Sequence, residues 1–134
     1  EGVMRILQGT PYSLPKRSIV RPLLKALAER GVEAMVAQYR ELAASQDQDY
    51  DSSERALNSL GYRLLGMGKP LAAIEVFKLN VERYPESANV YDSLAEAYMT
   101  NDDRQPAIEN YQRSLDLDPG NTNAVQKLRE LREQ

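Results

Sequence analysis

Apolar and polar positions alternate along most of this chain with the period of an α-helix, apolar residues returning every three or four places. Leu57, Leu60, Gly61 and Leu64 share one helical face, and so do Ala73, Phe77 and the residues one turn on either side. The pattern breaks at Gly/Pro/Asp-rich points: Gly31, Gly66-Met-Gly68-Lys-Pro70, Pro85, Asn101-Asp102-Asp103 and Asp118-Pro-Gly-Asn121. Between the breaks the spacing predicts helices over 18–30, 33–44, 52–66, 70–83, 88–100, 104–117 and 122–132, and one short helix over 2–8. Residues 9–17 read as a Gly/Pro-rich loop and 45–51 as a polar linker. Asp51-Ser-Ser-Glu54 has the form of a capping box with Asp51 as N-cap. Ser87 and Asn121 are expected to cap the helices that follow them, and Pro70 sits at a helix start, where its missing N–H does no harm.

The pattern also repeats itself. Leu57-Asn-Ser-Leu60-Gly61 aligns with Tyr91-Asp-Ser-Leu94-Ala95 at an offset of 34, and the same offset carries Leu64 to Tyr98, Ala73 to Ala107, Phe77 to Tyr111 and Pro85 to Pro119. Each correspondence has a packing reason. Gly61 and Ala95 are small where two helices press together, and Ala73 and Ala107 do the same from the second helix. Phe77 and Tyr111, one turn further on, fill the space between neighbouring units. The prolines stop the second helix. Val125 and Leu128 continue the register of Tyr91 and Leu94, after which Arg129 and Arg132 give the polar face that the end of a stack requires. Upstream, 18–30 and 33–44 form a further helix pair hinged at Gly31. Met35 and Tyr39 imitate the Ala-x-x-x-aromatic spacing, but the register is off by about four residues and Pro22 stands at a packing position.

This set of residues at this period resembles the tetratricopeptide repeat. The resemblance implies an all-α fold, an α-α superhelix of stacked antiparallel helix pairs closed by a C-terminal cap helix. The expected division is an N-terminal segment and loop (1–17), a degenerate pair and linker (18–51), two full repeats (54–87 and 88–121) and the cap helix (122–134), all within one domain. A narrower resemblance rests on three runs: Leu57-Asn-Ser-Leu-Gly-Tyr-Arg-Leu-Leu, Ala73-Ile-Glu-Val-Phe-Lys-Leu-Asn-Val-Glu-Arg-Tyr-Pro, and Ser87-Ala-Asn-Val-Tyr-Asp-Ser-Leu-Ala-Glu-Ala-Tyr. Together with the lead-in Gln8-Gly-Thr-Pro-Tyr-Ser-Leu-Pro, they look like the C-terminal tetratricopeptide tail of bacterial serine hydrolases, of the β-lactamase-like (penicillin-binding) family or of α/β-hydrolase esterases. That implies a catalytic half outside this chain, and export if the parent is β-lactamase-like, a cytoplasmic place otherwise. No catalytic residue carries over.

Composition removes most chemistry. The 134 residues contain no His and no Cys, which excludes Ser-His-Asp and Cys-His nucleophile systems, disulfides and Cys/His zinc sites. Ser13-Leu-Pro-Lys16 matches the S-x-x-K form of serine β-lactamases, but it stands in a Pro-flanked loop without K-T-G or S-D-N companions. Asp47, Asp49 and Asp51 lack the Gly turn and distal Glu of a calcium loop. No cofactor and no metal is expected, and the isolated chain reads as a binding module rather than an enzyme. Net charge is −3, made of +4 over residues 1–40 and −7 over 41–134. An acidic majority argues against nucleic acid, and the basic run Lys16, Arg17, Arg21, Lys25 is too short to reverse that. No apolar stretch reaches the length of a membrane span. Glu1 to Gln8 lack the basic and apolar parts of a signal peptide, and the chain, which opens without Met, reads as a piece of a longer protein or a processed one.

Partners of this fold normally meet the concave face, lined by the first helix of each pair. Helical spacing from the packing residues puts Arg55, Asn58 and Tyr62 there, then Asn89, Asp92, Glu96 and Met99, then Asn123, Gln126 and Glu130. This is a polar, partly acidic, amide-rich groove able to hold an extended peptide. The carboxylate clamp of chaperone-binding members needs Lys and Asn on successive first helices. Here Asn58, Tyr62, Asp92 and Ser93 hold those places, so no chaperone-tail binding is expected. Asn80 stands where a small apolar residue is usual, and it is expected to tie adjacent pairs together through Asn58 or Asp92. Three roles fit these residues: a protein- or peptide-binding scaffold, a structural domain packing on its own catalytic domain or pairing with a second copy, and a small free-standing adaptor. Exposure of Ile19, Val20 or Leu24 would favour the structural role.

Overall fold

The computed structural model describes residues 15–44 and 50–134. The expected short helix over 2–8, Ser13 and linker residues 45–49 lie outside these. Seven helices follow one another among the described residues: α1 (Val20–Arg30), α2 (Val32–Ala44), α3 (Glu54–Gly66), α4 (Pro70–Arg83), α5 (Ala88–Thr100), α6 (Arg104–Leu117) and α7 (Thr122–Arg132). Each packs on the next within the pairs α1/α2, α3/α4 and α5/α6, while α4 packs on α5 and α6 on α7 to build the stack. The fold is an all-α superhelix of the tetratricopeptide type, as the periodicity implies.

Two residues at either end of the first pair depart from pure helix. Arg17–Ser18 (β1) and Tyr50–Asp51 (β2) run parallel, with Arg17 opposite Tyr50 and Ser18 opposite Asp51. The expected loop and linker are thus hydrogen-bonded to each other at this point. The Arg17 guanidinium also lies 5.0 Å from the centre of the Tyr50 ring. α1 begins at Val20 rather than at 18. The Ser18 hydroxyl accepts the Val20 N–H at 3.1 Å, and Pro22 falls in the first turn, where no intrahelical N–H is needed. Gly31, at φ 98°, closes α1 with its N–H on the Leu27 carbonyl at 3.0 Å, a backbone region that suits glycine.

The caps differ from expectation in two places. Ser53, not Asp51, caps α3: its hydroxyl accepts the Ala56 N–H at 3.2 Å. Asp51 instead accepts the Ser53 N–H at 3.0 Å, and the Ser53 hydroxyl and N–H together hold its carboxyl below the usual range. The helix therefore starts two residues later than the capping box suggested. Ser87 precedes α5 but gives it no side-chain cap; its hydroxyl donates to Glu54 at 2.8 Å. Asn121 does cap α7, accepting the Ala124 N–H at 3.1 Å.

The 34-residue period is written into the backbone. Between α3 and α4, Met67 and Lys69 donate to the Leu64 carbonyl and Gly68 to the Leu65 carbonyl. Between α5 and α6, Asn101 and Asp103 donate to Tyr98 and Asp102 to Met99 in the same way. Gly68 (φ 75°) and Asp102 (φ 61°) are the equivalent left-handed residues of these turns.

Two buried clusters meet along α5. The larger runs from Ile19, Leu23 and Met35 through Leu57, Leu60, Phe77 and Leu79 to Leu94 and Ala97; the smaller joins Ala95, Ala107, Tyr111, Ala124, Leu128 and Leu131. Gly61 is obligatory in this core, because a Cβ there would overlap the Phe77 ring. Ile19 is wholly buried and Val20 and Leu24 are half-buried against the core, so the exposure that would favour a structural role for α1 is not found. At the other end Val125 is exposed while Ala124, Leu128 and Leu131 are buried. Leu128 thus keeps the place read off the repeat, while Ala124, 34 residues after the buried Val90, is buried in place of Val125. Arg104 holds this helix down by donating Nε to the Leu131 carbonyl at 2.8 Å, where a helix end leaves carbonyls without partners.

Candidate functional site

The first helices of the repeats, α3 and α5, pack side by side, and α7 takes the place of a third. Of the groove residues expected on them, the structure joins seven by side-chain hydrogen bonds. Tyr62 on α3 donates its hydroxyl to Glu96 on α5 at 3.0 Å, the residue at its own equivalent position in the next repeat. Asn58, one turn earlier, accepts the Ser93 hydroxyl at 2.6 Å. Asp92 accepts the Asn123 amide at 3.1 and 3.2 Å and the Asn121 amide at 3.2 Å. Gln126 donates to Glu130 along α7 at 3.2 Å. Arg55, Asn89, Asn123, Gln126 and Glu130 are exposed, while Asn58, Tyr62, Asp92, Glu96 and Met99 are half-buried. Met99 packs towards the smaller cluster. The result is a floor of interlocked polar groups with an amide-bearing rim.

Beneath the floor lie two aromatic rings. Tyr62 meets Phe77 edge-on, with ring centres 5.3 Å apart at 67°. Its half-burial and the neighbouring Glu96 and Asp92 push its phenol up to about 12 despite a favourable Ser93 hydroxyl. Tyr111, the equivalent of Phe77, is fully buried, and its hydroxyl has no hydrogen-bond partner. Desolvation raises this phenol further, assisted by the charges of Asp92, Glu96 and Glu130.

Asn80 is buried as expected, but its partner is neither Asn58 nor Asp92. Its amide donates to the Glu54 carbonyl at 3.0 Å, inside its own helix pair. Ser114, 34 residues later, donates its hydroxyl to the Ala88 carbonyl at 2.7 Å in the equivalent place. Both side chains meet the first carbonyl of the preceding first helix. The Asn80 tie is therefore made within its own pair, and the links from one unit to the next include Asn58–Ser93, Tyr62–Glu96 and Asp92–Asn123. Asn121, which spacing assigned to capping, also joins the groove through Asp92, and Tyr111, assigned to packing, is buried with an open hydroxyl; Ser93 keeps its place at the groove and bonds Asn58. A buried Ser in mid-helix and a Tyr where the sister repeat has Phe are the signals that point to them.

The basic residues Lys16, Arg17, Arg21 and Lys25 are all exposed. No group of three or more metal-ligating side chains occurs among the described residues, and no helix there is long and apolar enough to cross a membrane. A separate cavity of about 370 Å³ lies at the join of α2 and α4, where Arg40 grips Glu82 with both guanidinium nitrogens at 3.2 and 3.1 Å.

The tetratricopeptide repeat family model matches residues 88–121. No relative among curated proteins matches the chain. Among solved structures, MamA superimposes with a TM-score of 0.59 and 25% identity over 81% of this chain, which spans 61% of the MamA chain. The first TPR of Spaghetti (RPAP3), in complex with the HSP90 peptide SRMEEVD, superimposes with a TM-score of 0.60 and 16% identity, covering 90% of this chain and 97% of that one. The chain thus carries a tetratricopeptide repeat within a superhelix of that type.

Proposed function

We propose that the chain is a protein-interaction scaffold that holds an extended peptide segment along the face of α3, α5 and α7. The carrying observation is the interlocked floor, Tyr62–Glu96, Asn58–Ser93 and Asp92–Asn123, which runs unbroken over three helices. Such a floor is ordered before any ligand arrives, and pre-ordering reduces the entropy lost on binding. The exposed amides of Asn89, Asn123 and Gln126 supply the donors and acceptors that a peptide backbone requires. The peptide held by the first TPR of Spaghetti (RPAP3) supports the general mode. Its acidic sequence does not suit this groove, whose half-buried charges are Asp92 and Glu96, so a chaperone-type acidic tail is not the ligand. The test is selection from a random peptide library. Enriched peptides should lose binding about tenfold in an Asn89→Ala/Asn123→Ala double variant, a loss of the size that follows from removing hydrogen bonds in an ordered site. No enrichment over bare resin, or enriched peptides indifferent to the double variant, would overturn the proposal.

The resemblance of the runs at 57–65, 73–85 and 87–98 to hydrolase tails supports a place as the accessory domain of a bacterial serine hydrolase. The intact mass of the native gene product decides this part. A mass several-fold above the 15.1 kDa of this chain fits a tail on an enzyme, and a mass equal to it fits a free adaptor. A second reading, packing on a partner domain or a second copy, is favoured by Leu71 and Met67, 64% and 49% exposed beside the α3–α4 turn.

A further inference from the structure

The centre of the groove carries charge that the fold does not neutralise. Among the described residues the ion pairs are Arg40–Glu82, Lys78–Glu75 and Lys127–Glu130. Asp92 and Glu96, one turn apart on the same face of α5, have none. Their hydrogen-bond donors are neutral: the Asn121 and Asn123 amides on Asp92, and the Tyr62 hydroxyl on Glu96. A carboxylate drawn partly out of water gains from an opposite charge close by, and the described residues supply none to these two.

An independent observation points the same way. The Tyr111 hydroxyl is one of two buried side-chain atoms without a partner among the described residues, Asn80 Oδ1 being the other, and it feels the charges of Asp92 and Glu96; a buried polar atom left open calls for a missing partner. The sister repeat shows that the fold does not need this hydroxyl, since Phe77 fills the equivalent place.

We propose that this spot is a receptor for a cationic side chain, an arginine of the bound peptide, whose guanidinium enters between Asp92 and Glu96 beside Tyr62 and gives the Tyr111 hydroxyl its partner. The inference rests on the peptide-binding reading above and adds the ligand's chemistry to it. Arginine fits better than lysine. Its planar group offers five N–H donors to two carboxylates and a phenol together, and it lies well against aromatic faces.

The probes are four fluorescein-labelled random heptapeptide pools, identical except for a fixed central Arg, Lys, citrulline or Glu. Citrulline keeps the shape of arginine and loses its charge. Anisotropy titrations of the full chain at about 50 mM salt, where screening is weak, should rank Arg above Lys and both above citrulline. The Arg-over-citrulline preference should be about tenfold, the size of a charge-assisted pair in a half-exposed site. Glu96→Gln and Asp92→Asn, which retain the acceptor oxygens for Tyr62 and Asn123, should each reduce that preference to less than about threefold. Tyr111→Phe should reduce it by about twofold to threefold while leaving the melting temperature unchanged or higher, a combination that a purely structural role would not produce. Equal binding of the Arg and citrulline pools overturns the inference and leaves the peptide scaffold standing. A preference for Arg that survives both carboxylate variants also overturns it, since the cation would then be held elsewhere. Failure of every pool to bind overturns both.

Discussion

The two helix pairs α3/α4 and α5/α6 are one plan executed twice, and they differ where it matters. The first packs Gly61 on Phe77, with Gly68 in its turn and Asn80 as its internal tie. The second packs Ala95 beside Tyr111, with Asp102 in the turn and Ser114 as the tie. The first is the tighter interior, because its helix approach excludes even a methyl group and its large residue is wholly apolar. The second accepts polar groups at the same places: a phenol with no partner and an acid in a left-handed turn. Identical backbone geometry therefore tolerates two side-chain solutions, and the more polar one lies under the groove. In the second repeat the interior itself carries the polar groups under the groove, whereas the first repeat reaches the groove only through Asn58 and Tyr62 on α3.

Exchanging residues between the copies tests this. Phe77→Ala, which empties the tighter interior, should cost about 3–5 kcal/mol. It should leave at most a residual thermal transition from α5–α7 in calorimetry. Gly61→Ala imports the second copy's residue into the first and should cost about 1–3 kcal/mol through overpacking against the ring. A melting temperature equal to the parent's would mean that the approach of α3 and α4 relaxes freely. Tyr111→Phe imports the first copy's ring into the second and should stabilise the chain by about 1 kcal/mol, because an unsatisfied buried hydroxyl is removed. Asp102→Gly should add roughly 0.5–1 kcal/mol by relieving a left-handed acid, measurable by denaturant unfolding. The smallest effect belongs to Asp51. Its depressed carboxyl contributes stability that is present above the ordinary carboxylate range and is lost as pH falls through its lowered folded value. Asp51→Asn should therefore flatten the acid limb of the stability curve, and an unchanged limb would place its bond to Ser53 outside the folding balance.

Nearly all of the helices were legible as a pattern, because core burial at helical spacing and Gly/Pro breaks act locally. α4, α5, α6 and α7 begin and end where the spacing puts them. What the sequence could not show was choice among equivalent local donors and acceptors. Asp51 and Ser53 can each cap a helix, and only the pairing of Tyr50–Asp51 with Arg17–Ser18 leaves Ser53 the free hydroxyl at the right place. Asn80 has several carbonyls and amides in reach of any plausible register, and the crossing of α3 and α4 selects Glu54. The groove residues were named by periodicity, but their pairing required knowing which turn of α3 lies against which turn of α5. Tyr111 is the instructive miss. Its size marked it as core, and only the absence of a partner for its hydroxyl shows that size is not its whole role.

The short parallel ladder between Arg17–Ser18 and Tyr50–Asp51 has a mechanical meaning. Tension entering the chain at Arg17 and leaving through α3 would pull the two strands in opposite directions along their length, so their bonds are loaded together in shear rather than opened one at a time. While they hold, force passes from Arg17 to Tyr50 directly, and α1 and α2 hang off the line of pull as an unloaded loop. The first helix pair is thereby a slack reserve, released only after the ladder yields.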